Sequence, residues 1–350
     1  MYRGVIYALL AAVLFGASTP FAKAFVSDVH PLLLAGLLYA GSGAGLAVAL
    51  LLRRALTPKR ATIAWPARGE WRWLAAAIVF GGVLGPVLLM FGLAATSAST
   101  ASLLLNLEAV FSALLAWFLF HESYDRRIAL GMAAIVAGSV VLSFTWGETG
   151  SVSPGAALVV AACLCWALDN NLTRKVAASD AILIAGLKGI VAAAVNLGLA
   201  LGLGYAMPSV TVVAQAAVVG FLGYGLSLVL FVLALRHLGT ARAGAYFAAG
   251  PFVGAIVAVA FFGDTVTLPL LVAALLMGFG IWLHLTERHD HEHVHEAMDH
   301  VHVHRHDEHH QHSHRFDWDG AEPHTHAHGH PAKVHRHRHF PDVHHRHPHG

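Results

Sequence analysis

Charged side chains are scarce in this sequence. Asp, Glu, Lys and Arg make up only 12% of its 350 residues, whereas 57% are hydrophobic. Soluble domains have about 25% charged residues. The shortage is sharper before residue 286, because the chain beyond that point is almost wholly polar. Residues 4–285 therefore have the composition of a membrane protein and not of a soluble globular domain.

Cysteine is also nearly absent. Cys163 and Cys165 are the only two, and they lie two positions apart in an apolar run. On a helix this spacing points the side chains to different faces, so we expect neither a disulfide between them nor a thiolate metal site. The formal net charge is only +2, which argues against a nucleic-acid partner.

Long apolar runs are abundant. A membrane-spanning helix needs about 20 mostly apolar residues. Ten segments meet this requirement: about 4–25, 31–52, 73–95, 98–120, 128–146, 155–175, 181–203, 211–234, 241–262 and 268–285. We predict an all-α polytopic membrane protein with ten transmembrane helices. The first segment resembles a signal peptide, but its internal partner later in the chain indicates that it is retained.

Lys and Arg are distributed unevenly among the loops. They occur around the loops after spans 2, 4, 6 and 8 and are missing from the loops after spans 3, 5, 7 and 9, while Lys23 beside span 1 is the exception. Loops rich in Lys and Arg stay on the cytoplasmic side of a membrane. We therefore predict a multi-pass protein of the inner (cytoplasmic) membrane with both termini in the cytoplasm.

The second half of the chain repeats the pattern of the first. The aligned segments are Leu14–Lys23 with Cys165–Arg174, Ser27–Leu37 with Ser179–Leu187, and Ser99–Glu122 with Gly239–Asp264. Each half has five spans, an odd number, so the two halves must be inverted relative to each other. Inverted repeats are typical of secondary transporters, whose binding site lies near the midplane between the halves.

Two features make the chain resemble the drug/metabolite transporter superfamily, in its EamA-type branch. One is the five-plus-five arrangement of spans. The other is a block that ends in an acid in the fourth span of each half, Leu105–Glu122 and Ala248–Asp264. The family usually has a proline early in this block; Pro251 supplies it in the second half, whereas Ala109 stands at the matching place in the first. The resemblance covers about residues 4–285 and implies a transporter fold. Members of this superfamily move amino acids, sugars, nucleotide-like solutes and drugs, many of them outward.

The predicted organisation has three parts. Two EamA-like five-helix repeats occupy residues 1–146 and 147–285, and a disordered histidine-rich tail occupies residues 286–350. We expect the protein to contact the lipid bilayer, a small-molecule substrate and protons as a coupling ion, to act as a monomer or homodimer, and to need no cofactor.

Glu108 is an ionisable residue near the middle of the fourth span, about 15–18 Å along the helix from either end. A charge at such depth costs at least about 2.5–3.5 kcal/mol, so its presence needs a reason. Burial can keep a carboxyl protonated at neutral pH, and contact with water then releases the proton, as a proton-coupled antiporter requires. The alternative is a structural carboxyl that is satisfied by neighbouring hydroxyls or by Asn106.

Asp169 and Lys188 form a second candidate site. They lie on consecutive helices at roughly equal depth, about 9–11 Å from the same membrane face, so they can pair and offset their desolvation. The aligned positions in the first half are Ser18 and Leu38, so the pair breaks the internal symmetry. We expect a cytoplasmic gate or part of the substrate site; the alternatives are a structural pin or a lysine that reaches toward the interface.

Polar and aromatic residues surround Asp169 in the sequence: Trp166, Asn170 and Asn171. Their counterparts in the first half are Phe15, Thr19 and Pro20. Pro20 and the polar cluster both weaken helix regularity, and broken helices at corresponding positions point to a binding site. We therefore predict irregular helices in the first and sixth spans. The tyrosines that could line the same cavity, or simply pack, are Tyr39, Tyr224 and Tyr246.

The tail is dominated by histidine. The chain has 27 histidines, and all but four lie between His289 and His349, mostly as His-x-His. Neutral imidazole binds Zn, Ni, Co and Cu(II) well, and the irregular spacing indicates a flexible chelator with several sites. The predicted ligands are His289, His291, His293, His295, His300, His302, His304, His306, His309, His310, His312 and His314. A pH-responsive polycation is the alternative.

Three functional hypotheses follow. The first is a secondary transporter of a small organic solute with a metal-responsive or pH-responsive tail, the second a divalent-metal transporter whose tail collects ions, and the third a membrane metal sensor. No arrangement of nucleophile and base stands out, so we do not expect an enzyme. We favour the first hypothesis, because the spans offer only Glu108 and Asp169 as strong oxygen ligands and no central histidine.

Overall fold

The computed structural model describes residues 2–56, 65–120, 126–144, 152–176 and 179–286, and the backbone of the tail segments 290–295, 298–304, 324–330 and 333–338. The first half contains α1 (Tyr2–Val26), α2 (Pro31–Leu56), α3 (Trp71–Ala77), α4 (Gly85–Ala95), α5 (Ala98–Leu104), α6 (Leu107–Phe120) and α7 (Arg126–Ser143). The second half contains α8 (Pro154–Thr173), α9 (Ala181–Gly202), α10 (Val210–Gly220), α11 (Ser227–Phe247), α12 (Gly250–Phe262) and α13 (Leu268–Leu285). A 3₁₀ turn (Arg174–Val176) follows α8.

Helical segments of the described residues lie at all ten predicted spans. Eight stretches are long and apolar enough to cross a membrane, and α7 and α13 contain two shorter apolar segments. Their positions agree with the predicted spans within a few residues, so the prediction of a polytopic helical protein is confirmed. Two spans are continuous through π-helical stretches, Ile78–Leu84 between α3 and α4 and Phe221–Leu226 between α10 and α11.

The eighth and ninth spans meet within α11. The rings of Phe231 and Phe247 are 4.6 Å apart, although a straight helix would separate residues this far along the chain by about 24 Å. The chain therefore reverses its direction between these two residues. α11 supplies the end of the eighth span and the beginning of the ninth.

The strongest helix contacts cross between the two halves. α2 packs along α9, and α7 packs along α13, so each pair joins corresponding spans. α1 contacts α11 and α12, while its counterpart α8 contacts α4 and α6. This exchange of partners is the pattern of an inverted repeat, and it places the buried core at the interface of the halves. The predicted boundary at residues 146 and 147 lies outside the described residues.

Small residues allow α2 and α9 to approach closely. A Cβ at Gly43 would collide with the backbone of Ile190, and one at Gly189 would collide with the backbone of Gly43. Close backbone packing of this kind drives helix association in lipid, where apolar burial gives little advantage. Large apolar side chains face outward instead, as at Val210 and Phe261. The exterior therefore suits a hydrocarbon environment.

The irregular helices lie elsewhere than predicted. α1 runs unbroken through Pro20, and α8 has no interruption up to Thr173. The breaks fall in the fourth and ninth spans, at residues 105–106 and 248–249. A proline removes the hydrogen bond to the carbonyl four residues earlier, here that of Gly16. That carbonyl lies against Gly254 of α12, so packing with a neighbouring helix supports the first span.

The described segments of the tail form four short strands, β1 (Asp290–His295), β2 (Met298–His304), β3 (His324–His330) and β4 (Lys333–Arg338). β1 pairs antiparallel with β4, and β2 with β3. The sequence predicts disorder here, whereas the structure gives these segments extended, paired backbone. Alternation with a period of two, as in His-x-His, is compatible with a strand. The all-helical class thus applies to the membrane body.

Candidate functional site

Four irregular stretches of helix occupy matching places in the two halves. The π-helical stretches lie in the third and eighth spans, and the breaks lie in the fourth and ninth. A π-helical turn disturbs the regular ladder of backbone hydrogen bonds and is frequent at functional sites. Irregular helices at corresponding positions of an inverted repeat mark the binding region of many transporters.

Glu108 lies in the first turn of α6, directly after the break in the fourth span. Its Oε1 accepts a hydrogen bond from Asn170 Nδ2 at 2.7 Å, and the side chain is only half-buried. The N-terminus of a helix favours a negative charge, so the break itself helps α6 to hold a carboxylate. The predicted alternative partner, Asn106, instead donates from Nδ2 to the carbonyl of Leu103 at 3.1 Å.

Asp169 and Lys188 form a buried ion pair. Lys188 Nζ lies 2.6 Å from Oδ1 and 2.7 Å from Oδ2 of Asp169. Thr173 donates its hydroxyl to Asp169 Oδ1 at 2.8 Å, and Lys188 Nζ donates to the same hydroxyl at 3.2 Å. Asp169 is 6% exposed and Lys188 is 2% exposed. Such a pair persists in a dry environment because every charge has a partner.

The two candidate sites of the sequence meet at consecutive residues of α8, and we call their hydrogen bonds, linked through the backbone of α8, the polar network. Asn170 binds Glu108, and its neighbour Asp169 binds Lys188. The network therefore runs from α6 through α8 to α9 and links the first half with the second. Sequence spacing alone separates Glu108 from the pair by 61 positions, so the tertiary contact between α6 and α8 was needed to join them.

The π-helical stretch of the third span supports the ion pair. The carbonyl of Gly81 accepts hydrogen bonds from the Tyr39 hydroxyl at 2.7 Å and from Trp166 Nε1 at 3.0 Å. A Cβ at Gly81 would overlap the carboxylate of Asp169. Glycine is therefore required at this position for the third span to lie against the pair.

Aromatic rings lie beside this network. We define the central aromatic cluster as Phe15, Tyr39, Trp166, Tyr224 and Phe247. Phe15 lies 5.9 Å from Trp166, 6.2 Å from Tyr224 and 5.4 Å from Phe247, measured between ring centroids. Tyr39 and Tyr224 are 5.5 Å apart. The hydroxyl of Tyr224 is buried without a hydrogen-bond partner among the described residues, which leaves a polar atom available beside the rings.

Three predicted site residues do not join the network: Asn106, whose bond to Leu103 is given above, Asn171 and Tyr246. Asn171 donates to backbone carbonyls, that of Ala167 at 2.9 Å and that of Ser112 at 3.4 Å. Tyr246 packs in a separate apolar cluster with Ala8 and neighbouring residues. Conversely, Thr173 and Gly81 lie at the site although the sequence pattern did not predict a site role for either residue. Thr173 lies four positions after Asp169, on the same helix face, and this spacing was the available signal.

Half of the predicted metal ligands lie outside the described residues: His289, His306, His309, His310, His312 and His314. The others, whose backbone alone is described, lie on β1 and β2: His291, His293, His295, His300, His302 and His304. Among the side chains that the structure describes, no group of three or more His, Cys, Asp or Glu could hold a metal ion. The tail metal site stays a prediction.

Similarity to known proteins agrees with this architecture. The chain is 30% identical over 272 residues to an uncharacterized transporter of Methanothermobacter thermautotrophicus, which covers 73% of this chain and 78% of the relative. A solved crystal structure has the same fold, with a TM-score of 0.61 at 18% identity, over 81% of this chain and 98% of the other.

A family model locates the repeat directly. The model of the EamA-like transporter family matches twice, at residues 2–144 and 153–286. Each match covers one five-helix half, and the two irregular spans of each half lie inside it. The chain therefore belongs to the EamA-like transporter family.

Proposed function

We propose that the protein is a proton-coupled secondary transporter of a small organic solute, with the coupling site at Glu108. The observation that carries the proposal is the position of this carboxyl. It lies at a helix break in mid-membrane, half-buried, and is bound by a neutral amide. A carboxyl whose partner carries no charge can exist in either protonation state at modest cost, as a coupling group must.

The ion pair supports a role as a gate. Asp169 and Lys188 join two consecutive helices of the second half near the face that the Lys and Arg pattern assigns to the cytoplasm. Breaking a buried pair leaves two unsolvated charges unless water or a solute reaches them. Opening from that side would therefore require hydration or an incoming charged group, which makes the pair a natural barrier.

The central aromatic cluster supports an organic substrate. Pockets for small molecules are lined mainly by apolar and aromatic side chains with a few polar groups. The rings of Phe15, Trp166 and Tyr224, with the free hydroxyl of Tyr224, have this character. We infer that the protein transports its substrate and does not catalyse a reaction. The direction of transport is outward, as in many members of the superfamily. Both termini lie on the cytoplasmic side of the inner membrane.

The proposal is tested with Glu108→Gln in proteoliposomes. Glutamine preserves the acceptor for Asn170 but cannot exchange a proton. With a pH-sensitive dye inside the vesicles, we screen amino acids, sugars, nucleosides and cationic dyes. We expect at least one solute to move protons through the wild-type protein and none to do so through the variant.

Asn171→Gln serves as the matched control, because Asn171 lies on the same helix and binds only backbone carbonyls. Its proton movement should match that of the wild type. Equal proton movement in Glu108→Gln and wild type would remove Glu108 from the coupling mechanism and contradict the proposal.

The histidine-rich tail fits a separate, metal-binding role on the cytoplasmic side. Deletion of residues 287–350 should abolish tight Zn or Ni binding and leave the helical content and solute transport unchanged, as calorimetry and flux measurements can determine. Metal flux that survives this deletion but is lost in Glu108→Gln would instead favour the divalent-metal transporter. The physical basis is that imidazoles supply the metal ligands, whereas Asp169 is already engaged by a lysine.

A further inference from the structure

α2 and α9 are held together at both ends as well as along their length. They run antiparallel and join corresponding spans of the two halves. Glycine contacts close the middle of the pair. At one end Arg53 follows the last apolar turns of α2, and at the other end His30 precedes α2. We call these the Arg53 end and the His30 end.

The Arg53 end is closed by an ion pair. Arg53 Nη2 lies 2.6 Å from Asp180 Oδ2. Asp180 is also the N-cap of α9, where its Oδ1 accepts from the backbone N–H groups of Ile182 and Leu183. This closure contains no imidazole, the side chain type that changes its charge between pH 5 and 8. It therefore serves as the reference in the test below.

The His30 end is closed by a stacked imidazole. The rings of His30 and Tyr205 are 3.5 Å apart and nearly parallel, at 14°. Phe91 of α4 packs edge-on against the same imidazole, with 5.6 Å between centroids. His30 Nδ1 accepts the backbone N–H of Leu32 at 3.3 Å. His30 therefore caps the N-terminus of α2, as Asp180 caps the N-terminus of α9.

Protonation of His30 would remove this cap. An imidazolium has no free lone pair on Nδ1, and a positive charge at the N-terminus of a helix is unfavourable. Attraction between the charged imidazole and the ring face of Tyr205 would remain. The ionisable groups on the surrounding elements are Tyr205, Lys23 of α1, whose Nζ donates to the carbonyl of Leu93, and Asp28 of the connecting loop.

We propose that His30 is a pH-sensitive latch, which closes the His30 end of the α2–α9 pair when it is neutral and releases it when it is protonated. The half-buried imidazole is open to water, and imidazole exchanges its proton within the physiological pH range. By the Lys and Arg pattern this end faces away from the cytoplasm. Acid on that side would therefore loosen the interface between the halves at one end only.

The latch is tested by hydrogen exchange of the full-length protein in detergent at pH 7.5 and pH 5.5, corrected for the intrinsic pH dependence of exchange. In the wild type, amides 32–35 and 200–205 should exchange about fivefold faster at pH 5.5, the factor that corresponds to a lost N-cap. Amides 181–185, at the Arg53 end, should show no such change and serve as the internal control.

Two variants decide whether His30 is responsible. His30→Asn keeps a capping acceptor and does not titrate, so its exchange at the His30 end should be the same at both pH values. Tyr205→Phe keeps the stack and should retain the response of the wild type. A pH response that persists in His30→Asn, or its absence in the wild type, would overturn the proposal.

Discussion

In the first half Ser18 lies against Gly223 of the eighth span, and in the second half Asp169 lies against Gly81 of the third. The sequence alignment pairs Ser18 with Asp169, and both glycines lie in π-helical stretches. The two contacts are therefore equivalent under the symmetry of the inverted repeat. Backbone packing has kept the symmetry of the repeat while the side chains have diverged.

The difference lies in how each polar group is satisfied. The hydroxyl of Ser18 donates to the carbonyl of Phe15 in its own helix at 2.6 Å. The carboxylate of Asp169 needs Lys188 from the next helix, at the place where the first half has Leu38. The hydroxyl is satisfied within its own helix, whereas the buried carboxylate ties two helices together. The two halves therefore differ in charge at an equivalent contact.

The largest effect is expected when one partner of the ion pair is removed. Lys188→Leu introduces leucine, the residue that the first half has at the equivalent position, Leu38. The variant leaves Asp169 buried without a counter-charge. Removal of one partner of a buried pair costs about 3–5 kcal/mol. The free energy of unfolding, measured with denaturant in detergent micelles, should fall by this amount.

The double variant Asp169→Ser with Lys188→Leu gives the second half the chemistry of the first. Because it leaves no buried charge, its stability should return close to that of the wild type, while solute transport should be lost. A single variant as stable as the double would show that the pair does not hold the two helices.

A smaller effect is expected from the two glycines. Gly81→Ala would push a methyl group into Asp169, and Gly223→Ala would push one into Ser18. Overpacking of this kind costs about 1–3 kcal/mol. Both variants should lower the midpoint of thermal unfolding to a similar extent, because the scaffold contact is equivalent. Gly198→Ala, which has no neighbour within 4 Å, should lower it little or not at all.

The smallest effect is expected at Trp166, whose counterpart is Phe15. Trp166→Phe removes the donor to Gly81 but leaves the bond from Tyr39, so it should cost about 0.5–1.5 kcal/mol. Combined with Tyr39→Phe it leaves a buried carbonyl without a side-chain donor, and the loss should exceed the sum of the single variants. Additive losses in a double-mutant cycle would contradict a shared acceptor.

Much of the fold could be predicted from the sequence, because ten apolar runs and an alternation of basic loops are one-dimensional signals. The aligned segments of the two halves likewise indicated the inverted repeat. The positions of the irregular helices could not be predicted in this way. Pro20 suggested a break, but α1 stays helical, and the carbonyl of Gly16, which Pro20 leaves without its hydrogen bond, lies against Gly254 of α12.

The candidate site was predicted in pieces. Glu108, Asp169 and Lys188 stood out because a charge in an apolar run is costly wherever the chain places it. Their connection through Asn170 depends on which face of α8 meets α6, and hydropathy carries no such information. The stacking of His30 on Tyr205 was also hidden, since Tyr205 comes from the other half of the chain.

The sequence by itself determined that this chain spans a membrane ten times as two inverted halves, because burying apolar runs in lipid depends on composition and length alone. Only the tertiary structure decided where helices break, that Glu108 and the Asp169–Lys188 pair form one network, and that Gly81 must be a glycine. These features depend on distances of a few ångströms between residues far apart in the chain. Packing sets such distances, and composition does not.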